Sequence, residues 1–295
     1  MTVVELTRTQ APMEPAEPEV VLLDGRYRLD ALVGRVGATT LWRAADLLLC
    51  RPVAVHLLAG WRPVPPGLAE AVQACARVND ARLATVFDVD YDADRRYIVS
   101  EWVSDPDLQQ LLRTGLPGSA LATEMIAEAA EALAVAHQAG RPHLRLTLRS
   151  VHWGSSTLKI TGLGIDAALA AVDAPSAAAA AAADTTALAE LLYALLTGYW
   201  PGAEPTALPS APRNRIGLCE PRQLRAGVPP MLNAIVCHAL RGQPGWGTPS
   251  ISTPAQLAAA LRAAQPLSRT PVRQRTPALP VRCADSASRP VFDAA

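Results

Sequence analysis

Short runs of alternating apolar and polar residues begin after Arg26. Residues 27–58 contain three such runs around a glycine-containing turn, a pattern typical of a meander of three strands. Two further runs lie within residues 84–103, on either side of a polar turn, and predict two more strands. Residues 67–78 follow a proline-rich breaker and have helical spacing. The pattern therefore predicts a five-stranded antiparallel sheet with one helix, ending near Val103.

The chain becomes helical in character after Pro106. Apolar residues then recur at helical spacing in five segments: 107–115, 121–140, 184–200, 230–242 and 253–265. A β-type patch at residues 150–164 and the seven consecutive alanines Ala177–Ala183 separate the second of these segments from the third. Strands followed by helices are typical of the α+β class. We predict a small antiparallel β lobe followed by a larger helical lobe.

The chain divides into four regions by composition. Both ends are rich in proline and have no apolar period, so neither can bury a core of its own. The predicted regions are a disordered N-terminal segment at 1–24, the β lobe at 25–104, the helical lobe at 105–265 and a disordered tail at 266–295.

Composition and charge exclude several classes of function. Basic and acidic side chains both number 27, so the chain has no net charge to attract nucleic acid or an anionic membrane. Five dispersed cysteines without a CxxC pair are typical of a reducing compartment, and argue against a zinc site or a disulfide framework. The acidic N-terminus is not a secretory signal, and charges or prolines interrupt the apolar stretches. We expect a cytoplasmic protein with no membrane span of its own.

Seven segments carry a resemblance to a known family: GRYRLDALVGR, RPVAVHLL, YIVSEWV, AHQAGRPHLRLTLRSVHW, LKITGLGI, DTTALAELLYALLTGYWP and HALRGQPGWGTPSISTPAQLAAALRA. In order and spacing, from about Gly25 to Ala264, they resemble the PknB-like bacterial serine/threonine protein kinases. The resemblance implies a protein-kinase-like two-lobed fold. In that family the segments are the glycine-rich loop, the lysine strand, the strand to the hinge, the catalytic loop, the D-F-G element, the buried central helix and the final helices.

The resemblance implies that the phosphate-binding part of the cleft is degenerate. Gly34 remains at the first position of the glycine-rich loop, and Gly37 is also present, but Val36 and Thr39 stand where the family has its other glycines. Side chains at those positions would crowd a phosphate. His56 replaces the strand lysine, and imidazole is shorter and mostly neutral at about pH 7. We expect the two glycines to form an ordinary hairpin and the histidine to be a packed residue.

The catalytic positions are also replaced. His143 is retained, but Arg145 stands at the position of the catalytic aspartate and Ser150 at that of the metal-binding asparagine. Gly162 replaces the magnesium-binding aspartate of the D-F-G element. An arginine cannot accept a proton from a substrate hydroxyl, and glycine has no side-chain oxygen for a metal ion. Lys159, the only lysine, lies in the strand just before Gly162 and cannot replace the missing one.

Some family positions are kept. His143 and Asp184 match residues that tie the catalytic loop to the central buried helix. Glu101 and Val103 match the hinge, which together with Ala54 can line an adenine pocket. The resemblance therefore implies that the fold is preserved although its catalytic side chains are replaced.

We interpret the chain as a catalytically inactive signalling or scaffold module that binds protein partners and needs no cofactor. It also resembles the bacterial pseudokinase modules associated with MviN/MurJ-type peptidoglycan-precursor flippases. That resemblance implies three partners: an active kinase, a phosphothreonine-reading FHA-domain protein and a flippase. Thr270 and Thr276, each followed by proline, are the candidate phosphoacceptors.

Two alternatives remain open. A divergent kinase or nucleotidyl transferase with an inverted ATP pose requires magnesium, but the candidate carboxylates Asp166 and Asp173 are few and follow the D-F-G position rather than occupying it. A nucleotide sensor binds ATP without magnesium or turnover. Four basic side chains form a cluster in the catalytic loop: Arg141, His143, Arg145 and Arg149. Two interpretations of this cluster are open. It binds a phosphate or an acidic loop of a partner, or its side chains are structural and are solvated or paired.

Overall fold

The computed structural model describes most of both predicted lobes. The described residues are 21–36, 39–58, 68, 72, 75, 77–92, 95–154, 157–172, 176–241 and 251–265. Several predictions concern residues or side chains outside this set: Val36 (side chain), Gly37, Asp173, Thr270, Thr276, residues 1–20 and residues 266–295.

The β lobe contains one antiparallel sheet of six strands within the described residues, in the spatial order β1-β2-β3-β4-β6-β5. The strands are β1 Leu22–Leu23, β2 Tyr27–Val36, β3 Thr39–Asp46, β4 Arg51–Leu58, β5 Val86–Asp92 and β6 Arg95–Glu101. The five predicted strands are present. The prediction that disorder extends to residue 24 was wrong, because Leu23 is fully buried and β1 pairs with β2.

Strand β4 lies in the interior of the sheet, between β3 and β6. Its residues from Val53 to His56 are all buried, so both faces of this strand are covered. Val55 contributes to an apolar cluster on one face together with Tyr27 and Tyr97, whose rings meet edge to face at 5.8 Å. Because successive side chains alternate between faces, His56 points to the opposite face of the sheet from Val55.

The helical lobe is built on two long helices that pack against each other. Its helices are α1 Leu108–Thr114, α2 Ser119–Gln138, α3 Ile165–Leu169, α4 Ala177–Thr197, α5 Pro221–Leu224, α6 Pro230–Arg241 and α7 Pro254–Ala264. Two short hairpins complete it, β7 Val151–Trp153 with β8 Leu158–Ile160, and β9 Arg213–Asn214 with β10 Gly217–Leu218. The pattern predicted all the longer helices but missed α3, α5 and the β9–β10 hairpin, which are too short for a period.

Helix α4 begins at Ala177, two turns before the predicted start at Asp184. The seven alanines are therefore the first turns of the helix, as their high helix propensity favours. Ser176 caps the helix by accepting a hydrogen bond at Oγ from the backbone N–H of Ala179 at 3.1 Å. The segment between Gly162 and the helix is correspondingly short.

Helix α4 is also long and apolar enough to cross a membrane by length and composition alone. The expectation that no apolar stretch reaches that length was wrong. However, 67% of its apolar 18-residue stretch is buried inside the protein, and Leu188, Leu191 and Leu195 are fully buried. The helix is the core of this lobe.

An apolar cluster joins the two lobes behind the cleft. Leu68 and Val72, which have helical backbone, pack with Ile98 of β6 and with Ile165 and Leu169 of α3. The start of the helix predicted over 67–78 lies outside the described residues, and Arg77 and Val78 at its predicted end are not helical. The sheet, this segment and α3 nevertheless share a core, which fixes α3 beneath strand β4.

Candidate functional site: the cleft between the lobes

The loop of residues 140–150 is anchored to helix α4 through Asp184, which is 1% exposed. The carboxylate accepts hydrogen bonds from the backbone N–H groups of His143 and Leu144, both at 2.7 Å. Its Oδ2 also lies 2.7 Å from Nε2 of His137, a partner that sequence reasoning missed. Leu144 has a φ of +61°, an unfavourable backbone conformation for leucine. The bonds to Asp184 hold the loop in that conformation.

His143 is fully buried and both of its ring nitrogens are engaged. Nε2 donates to the carbonyl of Thr161 at 2.9 Å, and Nδ1 accepts from the backbone N–H of Arg145 at 3.3 Å. The ring therefore links the loop to the residue after strand β8. Its role in this structure is to hold the backbone, and it does not reach the open cleft.

Ser150 and Thr147 satisfy each other within the loop. Ser150 Oγ accepts from the backbone N–H of Thr147 at 2.8 Å and lies 2.9 Å from Thr147 Oγ1. Ser150 is 4% exposed, so its hydroxyl is directed into the loop and not towards the cleft. Ser150 thus stabilises the loop through its hydrogen bonds with Thr147.

The Asp166 carboxylate occupies the space beside Gly162. A Cβ built on Gly162 would overlap that carboxylate, and Gly162 has a φ of +81° that also favours glycine. Asp166 Oδ1 is buried and has no hydrogen-bond partner among the described residues. Burial raises the pKa of Asp166, opposed by the nearby His56, His143 and Arg145. The expectation that this carboxylate merely follows the D-F-G position was wrong, because helix α3 folds it back into that position.

His56 lies above Asp166 from strand β4 and is 5% exposed. Burial lowers its pKa, and the Asp166 carboxylate opposes this shift. Its Nδ1 has no hydrogen-bond partner in the part of the chain that the structure describes. A buried neutral imidazole carries no charge with which to hold a phosphate.

Arg149 reaches from the loop to strand β2 of the other lobe. Its Nη2 donates to the carbonyl of Val33 at 3.2 Å, and a Cβ on Gly34 would lie 3.4 Å from the same nitrogen. The Arg149 guanidinium therefore lies against Gly34. Thr39, at another glycine position, is 3% exposed and pairs within the β2–β3 hairpin.

The hinge carries an ion pair between the lobes. Glu101, at the end of β6, lies 2.7 Å from Nζ of Lys159 in β8, and it also accepts from the backbone N–H of Thr85 at 3.2 Å. Ala54 is buried and Val103 is partly exposed. The only lysine of the chain therefore pairs with the hinge, away from His56.

The predicted basic cluster is not a single patch. His143 is buried in the loop, and Arg149 contacts strand β2. The charge of Arg145 lowers the pKa of Asp166. Arg141 instead influences the buried Cys75 thiol, whose pKa its charge lowers against a larger rise caused by burial. These side chains point to separate partners.

No family model matches the chain. It is 28% identical over 263 residues to the serine/threonine-protein kinase PknL of Mycobacterium tuberculosis, an alignment that covers 80% of this chain and 64% of that protein. It is 33% identical over 152 residues to the serine/threonine-protein kinase PknA of the same organism, covering 48% of this chain and 34% of that protein. The chain thus spans less than two thirds of the length of these relatives.

Solved structures decide the fold. The kinase domain of Mycobacterium tuberculosis PknI superposes with a TM-score of 0.60 at 17% identity, covering 84% of this chain and 99% of that domain. Rad53, residues 1–466 in complex with AMP-PNP, superposes with a TM-score of 0.61 at 20% identity, covering 78% of this chain and 63% of that one. This chain has the protein-kinase fold. The predicted two-lobed α+β class is confirmed, and the sequence relatives named above are bacterial serine/threonine protein kinases.

Within the kinase fold, three residues of the cleft were missed or misjudged from sequence. His137 lies at the end of a helix, where nothing signals a partner 47 positions away. Asp166 follows glycine at both positions 162 and 164, which both have positive φ and let the chain turn back on itself. Arg149 stands among other arginines, and no pattern distinguishes the one that crosses the cleft.

Proposed function

We propose that this chain is a pseudokinase: a catalytically inactive protein-kinase-like module for signalling or scaffolding, which binds protein partners and no cofactor. The observation that carries the proposal is the contact of Arg149 with Val33 and Gly34. In protein kinases the glycine-rich loop covers the ATP phosphates above the catalytic loop. A guanidinium between these two elements occupies the path that the nucleotide would need.

The chemistry of the cleft supports the same proposal. Phosphoryl transfer depends on positioned charges, and the loss of one such group typically costs about 3 kcal/mol of transition-state stabilisation. Here the lysine position holds the buried imidazole of His56, and the base position holds Arg145, which cannot accept a proton. Ser150 is engaged within its own loop. The positions that bind the phosphates, accept the proton and bind the metal ion therefore all lack the side chains that the reaction needs.

One observation favours the enzyme alternative. Asp166 returns a carboxylate to the D-F-G position, and its buried Oδ1 is without a partner among the described residues. Yet the guanidinium of Arg145 is among its neighbours, lowers its pKa and would repel a divalent ion. The residues that the structure describes hold no group of three His, Cys, Asp or Glu side chains suited to a metal. We therefore favour the inactive module.

A thermal-shift titration of the whole chain with ATP, with and without magnesium, tests the proposal. We expect no shift in either condition. A metal-independent shift would support the nucleotide sensor and would show that the Arg149 guanidinium does not exclude the nucleotide. A metal-dependent shift that Asp166→Asn abolishes, together with transfer of labelled phosphate to a protein substrate, would establish the enzyme.

The proposed partners are an active kinase, an FHA-domain protein and a flippase, and the proposed location is the cytoplasm. A pull-down from native lysate before and after incubation with an active kinase examines this part. Capture of an FHA-domain protein only after phosphorylation, and its loss in a Thr270→Ala, Thr276→Ala double variant, is the expected result. Capture that is equal in all samples would contradict the role of these threonines.

A further inference from the structure

A cavity of about 480 Å³ lies in the helical lobe, between helix α4, the β9–β10 hairpin and helix α6. We call it the α4–hairpin cavity. It is lined by residues that include Glu190 and Tyr193 of α4, Ile216 of the hairpin, Glu220, and Arg241 of α6. None of its lining residues belongs to the cleft described above.

The two acidic side chains of the cavity differ in how they are satisfied. Glu220 accepts a hydrogen bond from Asn233 at 2.8 Å and pairs with Arg241 at 3.3 Å. Glu190 has no hydrogen bond or ion pair for its carboxylate among the described residues. Burial alone raises the pKa of Glu190 to about 7, so neither Arg213 nor Arg241, which also line the cavity, compensates its charge. A carboxylate at the wall of a cavity therefore lacks a cation.

A second unsatisfied group lies beside Glu190. The indole Nε1 of Trp200 is buried and has no acceptor within the described part of the chain. A Cβ on Gly202 would lie 2.9 Å from both this nitrogen and Glu190 Oε1, so only glycine fits between the two polar atoms. The indole N–H is buried, whereas Glu190 lines the cavity and presents its carboxylate to a cationic donor. A basic side chain of a peptide supplies such a donor.

The hairpin presents an apolar contact next to the cavity. Ile216 is 93% exposed, the most exposed of the large hydrophobic residues described. Asn214 Oδ1 accepts from the backbone N–H groups of Ile216 and Gly217, at 2.8 and 3.2 Å, and so fixes the tip. Ile216 therefore offers apolar surface beside Glu190 to a segment bound in the cavity.

We propose that the α4–hairpin cavity binds an arginine-bearing segment of a protein partner, with the guanidinium on Glu190 and an apolar neighbour of the arginine on Ile216. The inference deepens the proposed function and rests on its partner-binding part. It does not depend on whether the cleft is inactive.

Fluorescence anisotropy of the whole chain with a labelled Leu-Arg-Leu amide peptide tests the proposal, with Leu-citrulline-Leu as the neutral isosteric probe. We expect a dissociation constant below about 1 mM for the arginine peptide at about pH 8. Only ionised Glu190 attracts the guanidinium. With a pKa of about 7, the association constant should therefore rise about tenfold between about pH 6 and about pH 8. The citrulline peptide should show no such rise.

Three variants sharpen the test. Glu190→Gln should remove the pH dependence and most of the binding, and Ile216→Ser should weaken binding about threefold or more. Glu124→Gln, the same change on an exposed helix position, should bind as the parent chain does. Equal binding of the citrulline and arginine peptides, or no binding at about 1 mM, would overturn the inference. Because the readout is peptide binding, ATP turnover in a separate assay would refute the inactive cleft and leave this result unchanged.

Discussion

The Asp166 carboxylate takes the place that a side chain on Gly162 would fill. The glycine and the aspartate therefore depend on each other: the aspartate can fold back only because position 162 has no Cβ. The turn between them uses two glycines of positive φ, Gly162 and Gly164. The glycine at position 162 and the carboxylate four positions later are linked because only one of a Cβ and the carboxylate can occupy this volume.

A double-mutant cycle on Gly162 and Asp166 measures this dependence. Gly162→Ala should lower the free energy of unfolding by more than the 1–2 kcal/mol expected for roughly one residue of left-handed backbone, because the new methyl group also displaces the carboxylate. In an Asp166→Ala background the same change should cost only the backbone part. Urea unfolding of the four proteins should give a coupling of about 1 kcal/mol or more. Additive effects would show that the two residues do not share the space.

Asp184 should be among the most sensitive positions of the chain. Its carboxylate is 1% exposed and accepts two backbone N–H groups besides its contact with His137. Asp184→Ala leaves these donors unsatisfied in the interior and should lower the free energy of unfolding by about 3–5 kcal/mol. His137→Gln, which disturbs one of the three contacts, should cost about 1 kcal/mol in the same urea experiment. A loss below about 1 kcal/mol for the alanine variant would contradict the anchoring role.

Much of the fold follows from local sequence rules. The five strands could be predicted because turns and alternating apolar residues mark them in the sequence. The longer helices could be predicted because their apolar residues have helical spacing. The start of α4 was missed because a run of alanines has no amphipathic period, although alanine favours helix more than any other residue. Strand β1 was missed because two residues in a polar, proline-containing region carry no alternation.

The cleft was less predictable, because its contacts join residues that are distant in sequence. Substitutions such as His56 and Arg145 are visible in the sequence once the family resemblance is noticed. What fills the resulting space is not visible, because Arg149 and Gly34 lie on different lobes and meet only after folding. Likewise, the pairing of Lys159 with Glu101 spans 58 positions and follows no motif.

Lys159 should be of small importance for stability. Its ammonium lies 2.7 Å from Glu101, and the two side chains are 21% and 29% exposed. Pairs of this kind usually contribute less than about 1 kcal/mol. Lys159→Met should therefore lower the free energy of unfolding by no more than about 1 kcal/mol. A matching effect of Glu101→Gln, without addition in the double variant, would identify the ion pair as the cause. A loss well above about 1 kcal/mol would contradict this assignment of the lysine.

The pH dependence of stability should reveal Glu190. Its pKa is about 7 in the folded protein and 4.5 as a free side chain, so its contribution to folding is greatest below about pH 4.5 and is lost as the pH rises to about 7. Glu190→Gln has no charge to desolvate. The variant should therefore be about as stable as the parent chain at the acidic end of this window and more stable above about pH 7. Urea midpoints of both proteins across the window give the measurement, with the exposed Glu124→Gln change as the matched control. A difference between variant and parent that stays constant with pH would mean that the Glu190 carboxylate is already compensated in the free protein, and the α4–hairpin cavity would then lack the unpaired charge that calls for a cationic partner.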